Sequence, residues 1–387
     1  MILFELIPYD VLRLIWWVLL GVLLIAFAMT DGFDMGVGAL LPLVARTDTE
    51  RCVVIDTIAP VWEGNEVWFI LGGGAIFAAW PPLYAVSFSG FYLAMFLILV
   101  ALILRPAAFK YRAKREGAGW RRGWDRALFI GSTLPALLFG VAVGNVLLGV
   151  PFHLTPQMMA IYEGGALAKL VGLLRPFALL CGVVSVAMLV THGAGWLVLK
   201  TEGPVQARAR RFGRIAALVA VLGYLLAGLW LWQGIEGYAF VTEPPHDGPS
   251  NPLLSQVVRT PGWFLAYGAR PWIAIAPVLG VVGSLMAWRA LGSGGERSPL
   301  IWSQMAILGM ISSVGLVMFP FILPSSSQPD SSLTVWDASS SHQTLFVMLV
   351  CSVIFLPIIL AYTAWVYRVL SGKVTAEAVE DPERSAY

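Results

Sequence analysis

Acidic residues recur in this chain where an apolar sequence has least use for them. Thr30-Asp31-Gly32-Phe33-Asp34-Met35-Gly36 closes a long apolar run, and its two carboxylates are three residues apart, on one face of a helix. They are close enough to share a proton. The plainer use of such a pair is to cap a helix end at the lipid headgroups. A second set, Asp56, Glu63 and Glu66, falls at i, i+7 and i+10 in the segment Asp56-Thr57-Ile58-Ala59-Pro60-Val61-Trp62-Glu63-Gly64-Asn65-Glu66-Val67-Trp68. On one continuous helix these three acids lie within about 80° of each other. At about 1.5 Å of rise per residue the stripe runs about 15 Å inward, which brings Glu66 near the middle of a bilayer. An ionised acid there costs on the order of 3 kcal/mol on insertion scales, so it persists when protonated, paired or turned toward a wet cavity. Acids so placed mark proton or ion paths. The structural alternative is that Asn65 and arginine partners lock helices together through them.

Other residues qualify this picture. Arg105-Pro106 closes the third apolar run on the same side as the acids, so its guanidinium is a candidate partner for Asp31, Asp34 or Glu63, unless it merely snorkels to the interface. Four histidines raise the question of a metal or haem, but His153, His246 and His342 fall in or beside loops, and His192 has no evident second ligand. No metal site is expected. Cys52, Cys181 and Cys351 stand far apart without C-x-x-C spacing and read as small apolar packers. Of 16 tryptophans, Trp16, Trp17, Trp80 and Trp272 sit where an interfacial belt would put them, whereas Trp62 and Trp68 lie among the acids, where a ring could pack on a planar cofactor or simply on a helix. Between 318 and 341 a Ser- and Pro-rich stretch without Lys or Arg reads as a linker, although the embedded Trp336-Asp337 suggests a packed turn. No phosphate loop, dinucleotide fingerprint or nucleophile elbow occurs, and no block of basic charge is long enough for nucleic acid.

The elements that must carry these residues are membrane helices. The 387 residues are 58% hydrophobic and only 12% charged, with the charges gathered between long apolar runs. At about 20 residues per crossing, nine spans are expected near 11–31, 57–80, 84–104, 127–148, 173–199, 214–235, 271–290, 301–322 and 343–368. The first run has Glu5 and Asp10 ahead of it, no basic leader and no small-residue cleavage site, so it reads as a retained helix. With nine spans, one set of connections takes most of the 25 Lys and Arg, including Arg46, Arg51, the eight between Arg105 and Arg126, Lys200 to Arg214, Arg289, Arg297, Arg368, Lys373 and Arg384. The other set holds Arg13, Lys169, Arg175, Arg259 and Arg270. The positive-inside rule then places the N-terminus in the periplasm and the C-terminus in the cytoplasm. Arg13 leads into Thr30-Asp31-Gly32 much as Arg175 leads into Thr191-His192-Gly193, which suggests a parallel repeat: two four-helix units, 11–148 and 173–322, followed by a ninth helix at 343–368 within one polytopic domain. Chance likeness between apolar segments competes with that reading.

Several motifs in order along the chain resemble subunit II of the cytochrome bd quinol oxidases: Thr-Asp-Gly-Phe-Asp-Met-Gly at 30–36, Ala-Pro-Val-Trp-Glu-Gly-Asn-Glu-Val-Trp at 59–68, Phe-Ala-Ala-Trp-Pro at 77–81, Phe-Ser-Gly-Phe-Tyr at 88–92, Arg-Pro at 105–106, Gly-Asn at 144–145, Gly-Val-Pro-Phe at 149–152 and the stretch from Pro-Ser-Ser to Trp-Asp-Ala-Ser-Ser at 324–340. The resemblance implies a respiratory terminal oxidase of the bacterial inner membrane that oxidises quinol and reduces dioxygen to water. It implies that a partner, subunit I, ligates haem b and haem d, that this chain is its non-ligating scaffold, and that a small single-helix subunit and a structural quinone accompany it. It also implies proton-path roles for Asp34 and Glu63, with Trp62 near the haems and Arg105 as a charge partner; Asp31, Asp56 and Glu66 join the path on the spacing above. In the family motif the residue after the tryptophan is Asp and the fourth after it is Gln, with His before the tryptophan. This chain has Glu63, Glu66 and Val61 there. Glu63 keeps the carboxylate, and Glu66 adds one the resemblance does not explain. Taken without the resemblance, the acid stripe and the repeat suit a secondary transporter as well.

Overall fold

Apolar runs of this length satisfy their backbone groups in lipid by coiling into helices, and the chain does so throughout. The computed structural model describes residues 3–380. The long helices are α1 (Tyr9–Val44), α3 (Trp62–Ala79), α5 (Tyr92–Tyr111), α6 (Ala118–Leu148), α8 (Pro176–Lys200), α9 (Gly203–Gly234), α11 (Ile275–Gly292), α12 (Ser298–Met318) and α13 (His342–Val369). Shorter ones are α2 (Asp48–Asp56), α4 (Pro81–Gly90), α7 (Ala166–Leu173), α10 (Leu265–Ala269) and α14 (Ala376–Glu380). Among the described residues eight helices are long and apolar enough to cross a membrane, and α3 with α4, bent by 120° at Trp80, passes the same test as a pair, the pattern of a broken span or a re-entrant loop. This is an all-α integral membrane fold, as expected. The bend follows from Pro81-Pro82, which occupy the first turn of α4 where a missing N–H does no harm, but cannot continue α3.

The two ends of the bundle differ. At the arginine-rich end the connections are short, and α2 is fastened by a reciprocal cap in which the Thr47 hydroxyl accepts from the Glu50 amide while the Glu50 carboxylate accepts from the Thr47 amide. At the opposite end three antiparallel hairpins cover the helices: β1 (His153–Leu154) with β2 (Ala160–Ile161), β3 (Gly237–Thr242) with β4 (Gln256–Thr260), and β5 (Phe321–Leu323) with β6 (Leu333–Thr334). The 318–341 stretch is therefore a packed cap, with Leu333, Val335, Trp336 and Asp337 buried and the Asp337 carboxylate accepting from the Ser255 hydroxyl and the Thr334 amide. Arg13 supports the cap from below: fully buried, it donates to the His246 and Gly248 carbonyls and to the Ser250 and Ser339 hydroxyls.

Helix α1 is the central post, packed against α3, α6, α8, α12 and α13. Its closest approach is to α8. A Cβ on Gly36 would stand 2.0 Å from the Leu189 carbonyl oxygen, and one on Gly193 would stand 2.5 Å from the Gly36 backbone. Only glycine allows the two backbones to meet there.

Three expectations about this framework need correction. Helix α1 does not end at residue 31 but runs on to Val44, so Asp31 and Asp34 lie inside a helix and not at its cap. The segment 57–61 is a turn around Pro60 that separates α2 from α3, so Asp56 does not share a helix with Glu63 and Glu66, and the three do not form one stripe. The expected span 84–104 covers parts of α4 and α5, which break at Phe91. The remaining spans match within the usual uncertainty of helix ends, except that α6 and α9 begin 9 and 11 residues earlier than the apolar windows at 127 and 214 suggest, because charged helical turns project beyond the lipid. Arg384 lies outside the described residues.

Candidate functional site

Where α1, α3, α5 and α13 converge, polar side chains meet in an otherwise apolar interior. Arg105 comes from α5, one residue before Pro106; Asp31 and Asp34 come from successive turns of α1; Asn65 comes from the first turns of α3 and Tyr367 from the last turns of α13. The Arg105 guanidinium forks onto Asp31, donating from one terminal nitrogen to Oδ2 at 2.9 Å and from the other to Oδ1 at 2.5 Å. Its nearer nitrogen stands 3.9 Å from Asp34 Oδ2. Asn65 Nδ2 donates to that same Asp34 oxygen at 2.8 Å, and the Tyr367 hydroxyl donates to Asn65 Oδ1 at 2.5 Å. Asp31 and Asp34 are fully enclosed, and Arg105 and Asn65 are 1% exposed. One guanidinium thus faces two carboxylates, and Asp34 Oδ1 and Arg105 Nε have no hydrogen-bond partner among the described residues. Such a network holds one charge pair and leaves one acid without a cation of its own.

Glu66 is half-buried one residue beyond Asn65, and Glu63 is exposed on the surface of α3. That surface is otherwise apolar, with Val67, Ile70 and Leu71 exposed beside it. Trp62 is buried, with its ring centre 5.7 Å from that of Phe109. Of the three partners open to Arg105 from the sequence, it takes Asp31 and approaches Asp34; its ion pairs do not include Glu63. Asp56 belongs to a different neighbourhood. It is half-buried at the arginine-rich end, where burial pushes its carboxyl up to about 6 against the opposing pull of Arg112. Arg112 itself donates to Asp125 at 2.7 Å and Asp48 at 2.5 Å, while Arg51 pairs with Asp125 at 2.7 Å and Arg121 with Asp48.

Tyr367 is the participant that sequence reasoning missed. Its only signal is a hydroxyl close to the basic end of an apolar helix, and its partner is 302 residues away. His192 is fully buried, with Nδ1 2.8 Å from the Ser303 hydroxyl and Nε2 2.8 Å from the Met29 carbonyl oxygen. Both ring nitrogens are engaged, so it serves as a tie between α8, α12 and α1. The Phe33 ring stacks on Trp196 at 4.1 Å and touches Tyr367 edge-on at 6.4 Å, which walls the network from the α8 side.

Known proteins bear on this arrangement. The family model described as cytochrome bd terminal oxidase subunit II matches residues 12–370. A probable cytochrome oxidase subunit 2 of Haemophilus influenzae is 47% identical over 98% of this chain and 100% of its own length. The cytochrome bd-I ubiquinol oxidase subunit 2 of Escherichia coli K12 is 46% identical over the same shares, and the cytochrome bd ubiquinol oxidase subunit 2 of Bacillus subtilis is 28% identical over 93% of this chain and 96% of its own. In the bd oxidase of Geobacillus thermodenitrificans a chain superposes with a TM-score of 0.69 at 15% identity, covering 93% of this chain and 98% of that one, which is a likeness of fold. With nearly its whole length matched by the family model and by relatives close to half identical, the chain belongs to the cytochrome bd terminal oxidase subunit II family.

Proposed function

We propose that this chain is the second subunit of a bacterial inner-membrane complex that oxidises quinol and reduces dioxygen to water, and that it both scaffolds a haem-bearing subunit I and conducts protons to it from the cytoplasm. The observation that carries the proton role is the buried group of Arg105, Asp31, Asp34, Asn65 and Tyr367, with more acid than base, beside two further acids on α3. Asp34, with one oxygen unpartnered among the described residues, is the site that gains and loses a proton, and Arg105 is paired with Asp31 beside it. Glu66 and Glu63 carry the route outward to the exposed face of α3. A carboxylate on that apolar face is costly against lipid, so we assign the face to subunit I. Asp56, whose carboxyl burial pushes up to about 6, collects protons at the arginine-rich end, which the positive-inside rule makes cytoplasmic. Moving a proton part-way through the membrane field conserves energy without a separate pump.

The haems of such an oxidase supply the electron transfer and oxygen chemistry. Of the histidines that could serve as axial ligands, His192 uses both ring nitrogens, and His153, His246 and His342 belong to the capped end away from the acids. Haem b and haem d are accordingly assigned to subunit I, and Trp62 to the protein wall near them. For a structural quinone, a cleft of about 280 Å³ between the α4–α5 junction and α7 fits: Leu93, Leu170 and Leu173 give it an apolar wall, and Ser89 and Lys169 offer donors to a ring carbonyl. A small single-helix subunit completes the assembly in this reading. The chain itself is read as two four-helix units, 11–148 and 173–322, plus a ninth helix, with the α1 to α8 glycine contact as the seam between them.

The test is Glu63→Gln in native membranes. Quinol oxidase turnover and coupled proton uptake are expected to fall by at least about tenfold, in the range of a lost proton-transfer group. Wild-type rates would exclude the route. A purely structural lock is the competing reading, favoured by the bidentate Arg105–Asp31 pair, and it predicts that Asp34→Asn leaves turnover unchanged once the complex assembles. Haem absorption in the purified complex separates both from a transporter, which would copurify with none.

A further inference from the structure

We propose that the groove between α1, α6, α8 and α9 holds one anionic phospholipid from the leaflet on the arginine-rich side. The groove has a volume of about 400 Å³. Leu43, Leu137, Val190 and Ile215 are typical of its lining, and Thr133 supplies its single hydroxyl. That hydroxyl oxygen is buried and has no hydrogen-bond partner among the described residues. An apolar slot in a membrane helix bundle is filled by an acyl chain as a matter of course; the charges at its end decide whose.

Most arginines at this end are already committed. Arg51, Arg112, Arg121 and Arg208 pair with Asp125, Asp48 and Glu50, Arg210 donates to the carbonyls of Ser293 and Gly295, and Arg214 lies over the Trp288 ring. Arg46, Arg126 and Arg211 are exposed, and their guanidinium groups make no hydrogen bond or ion pair among the described residues. Arg126 and Arg211 continue helix stripes that line the groove, and Arg46 follows the lining end of α1 past the extended Ala45. Arg126 precedes Thr133 by seven residues on α6, two turns toward the arginine-rich end; Arg211 precedes Ile215 by four on α9; Arg46 follows Leu43 by three, just past the end of α1. At about 1.5 Å of rise per residue these positions are roughly 10 Å and 6 Å beyond the lining residues on α6 and α9, the depth at which a phosphate sits above its acyl chains. Thr133 lies below them, where a glycerol ester offers a carbonyl acceptor to its hydroxyl. A neutral quinone has no use for three cations, and a zwitterionic lipid brings its own.

Native mass spectrometry of the complex of this chain with its partner subunit tests the proposal, with phosphatidylglycerol and phosphatidylcholine offered in equal amounts. The wild type is expected to retain one phosphatidylglycerol in preference by about tenfold or more, since each basic side chain near the surface is worth roughly fivefold toward an anionic lipid. Replacing all three as Arg46→Gln, Arg126→Gln and Arg211→Gln abolishes the preference, the Arg→Lys set keeps most of it, and Val219→Trp, at a lining position on the exposed side of α9, expels the lipid with the charges intact. Equal retention of the two lipids by the wild type, unchanged preference in the glutamine variant, or a quinone released by Val219→Trp would each overturn it. Should the glutamine variant fail to assemble, the wild-type competition still decides.

Discussion

Arg105 is the residue on which the buried acids depend. Replacing it by Ala leaves Asp31 and Asp34 enclosed without a cation, a change that costs about 3–5 kcal/mol when a buried pair loses one partner. The expected result for Arg105→Ala is loss of the assembled complex from membranes, read by its yield and melting temperature, with Arg105→Lys recovering assembly only in part because an ammonium cannot fork onto a carboxylate. Tyr367→Phe removes one donor from Asn65 and keeps the ring in its contacts with Phe33 and Trp196, so stability should fall by only about 1 kcal/mol. If the hydroxyl orders the route around Asp34, turnover in Tyr367→Phe falls several-fold while melting barely moves; equal turnover would confine Tyr367 to packing. Outside the membrane, Glu50 gives a pH signature. Its hydrogen bonds from Arg208 lower its pKa from 4.5 to about 2, outweighing the effect of burial. The folded chain keeps this carboxylate ionised where the unfolded chain protonates, so the stabilisation is complete above about 4.5 and lost as pH falls toward 2. The melting-temperature difference between wild type and Glu50→Gln should therefore be largest near neutral pH and shrink steadily below pH 4.

Helix α1 and its contact with α8 set the spacing of the whole network. Gly36→Ala puts a methyl group against the Leu189 carbonyl and must push the helices apart, at about 1–3 kcal/mol for overpacking, whereas Gly123→Ala on α6 meets nothing within 4 Å and is expected to be neutral or stabilising by about 0.5–1 kcal/mol. Thermal unfolding of both variants in the same detergent checks the contrast. The limits of sequence reasoning lie at this scale too. Most spans were legible because lipid demands about 20 apolar residues wherever the chain crosses, and loop charges favoured nine where eight helices and one bent pair are found. The ends of α1 and the start of α3 were not, because hydropathy treats Asp31 and Asp34 as the edge of a span when Arg105 from another helix makes them tolerable inside one. The candidate site was half legible: Asp31, Asp34 and Arg105 come together as their spacing suggested, and Asn65 joins them. Asp56 separates from Glu63 because Pro60 interrupts the helix that periodicity assumed, and Tyr367 was invisible because a contact between the second and the last long helix leaves no local pattern.

Across the whole molecule the two ends do different work. The capped end is tied together by Arg13 and the packed 318–341 stretch, while the arginine-rich end is an ion-pair lattice around Arg112 and Arg208 with the proposed lipid at its edge. The last long helix spans both. At one end His342 approaches the Ile7 carbonyl and Leu345 accepts from the Trp16 indole; at the other Tyr367 completes the acid cluster, and Lys200 donates to the carbonyls of Leu370 and Gly372. Only 6% of the apolar window of α13 is buried in this chain, so these few contacts, and whatever partner covers the rest, hold it. A chain stopped at residue 341 should insert its earlier helices yet fail to copurify with haem, and expressing α13 as a separate peptide should restore some of the complex; recovery of the oxidase spectrum from the truncated chain alone would contradict this. The placement of Tyr367 also has a meaning in time. Asp34 and Asn65 enter the membrane early in synthesis, but their last partner is made only when translation has passed residue 367. Until then a ribosome-bound intermediate carries an unfinished polar cluster in its interior, so a stalled or shortened product differs from a finished one in a way that membrane quality control can recognise.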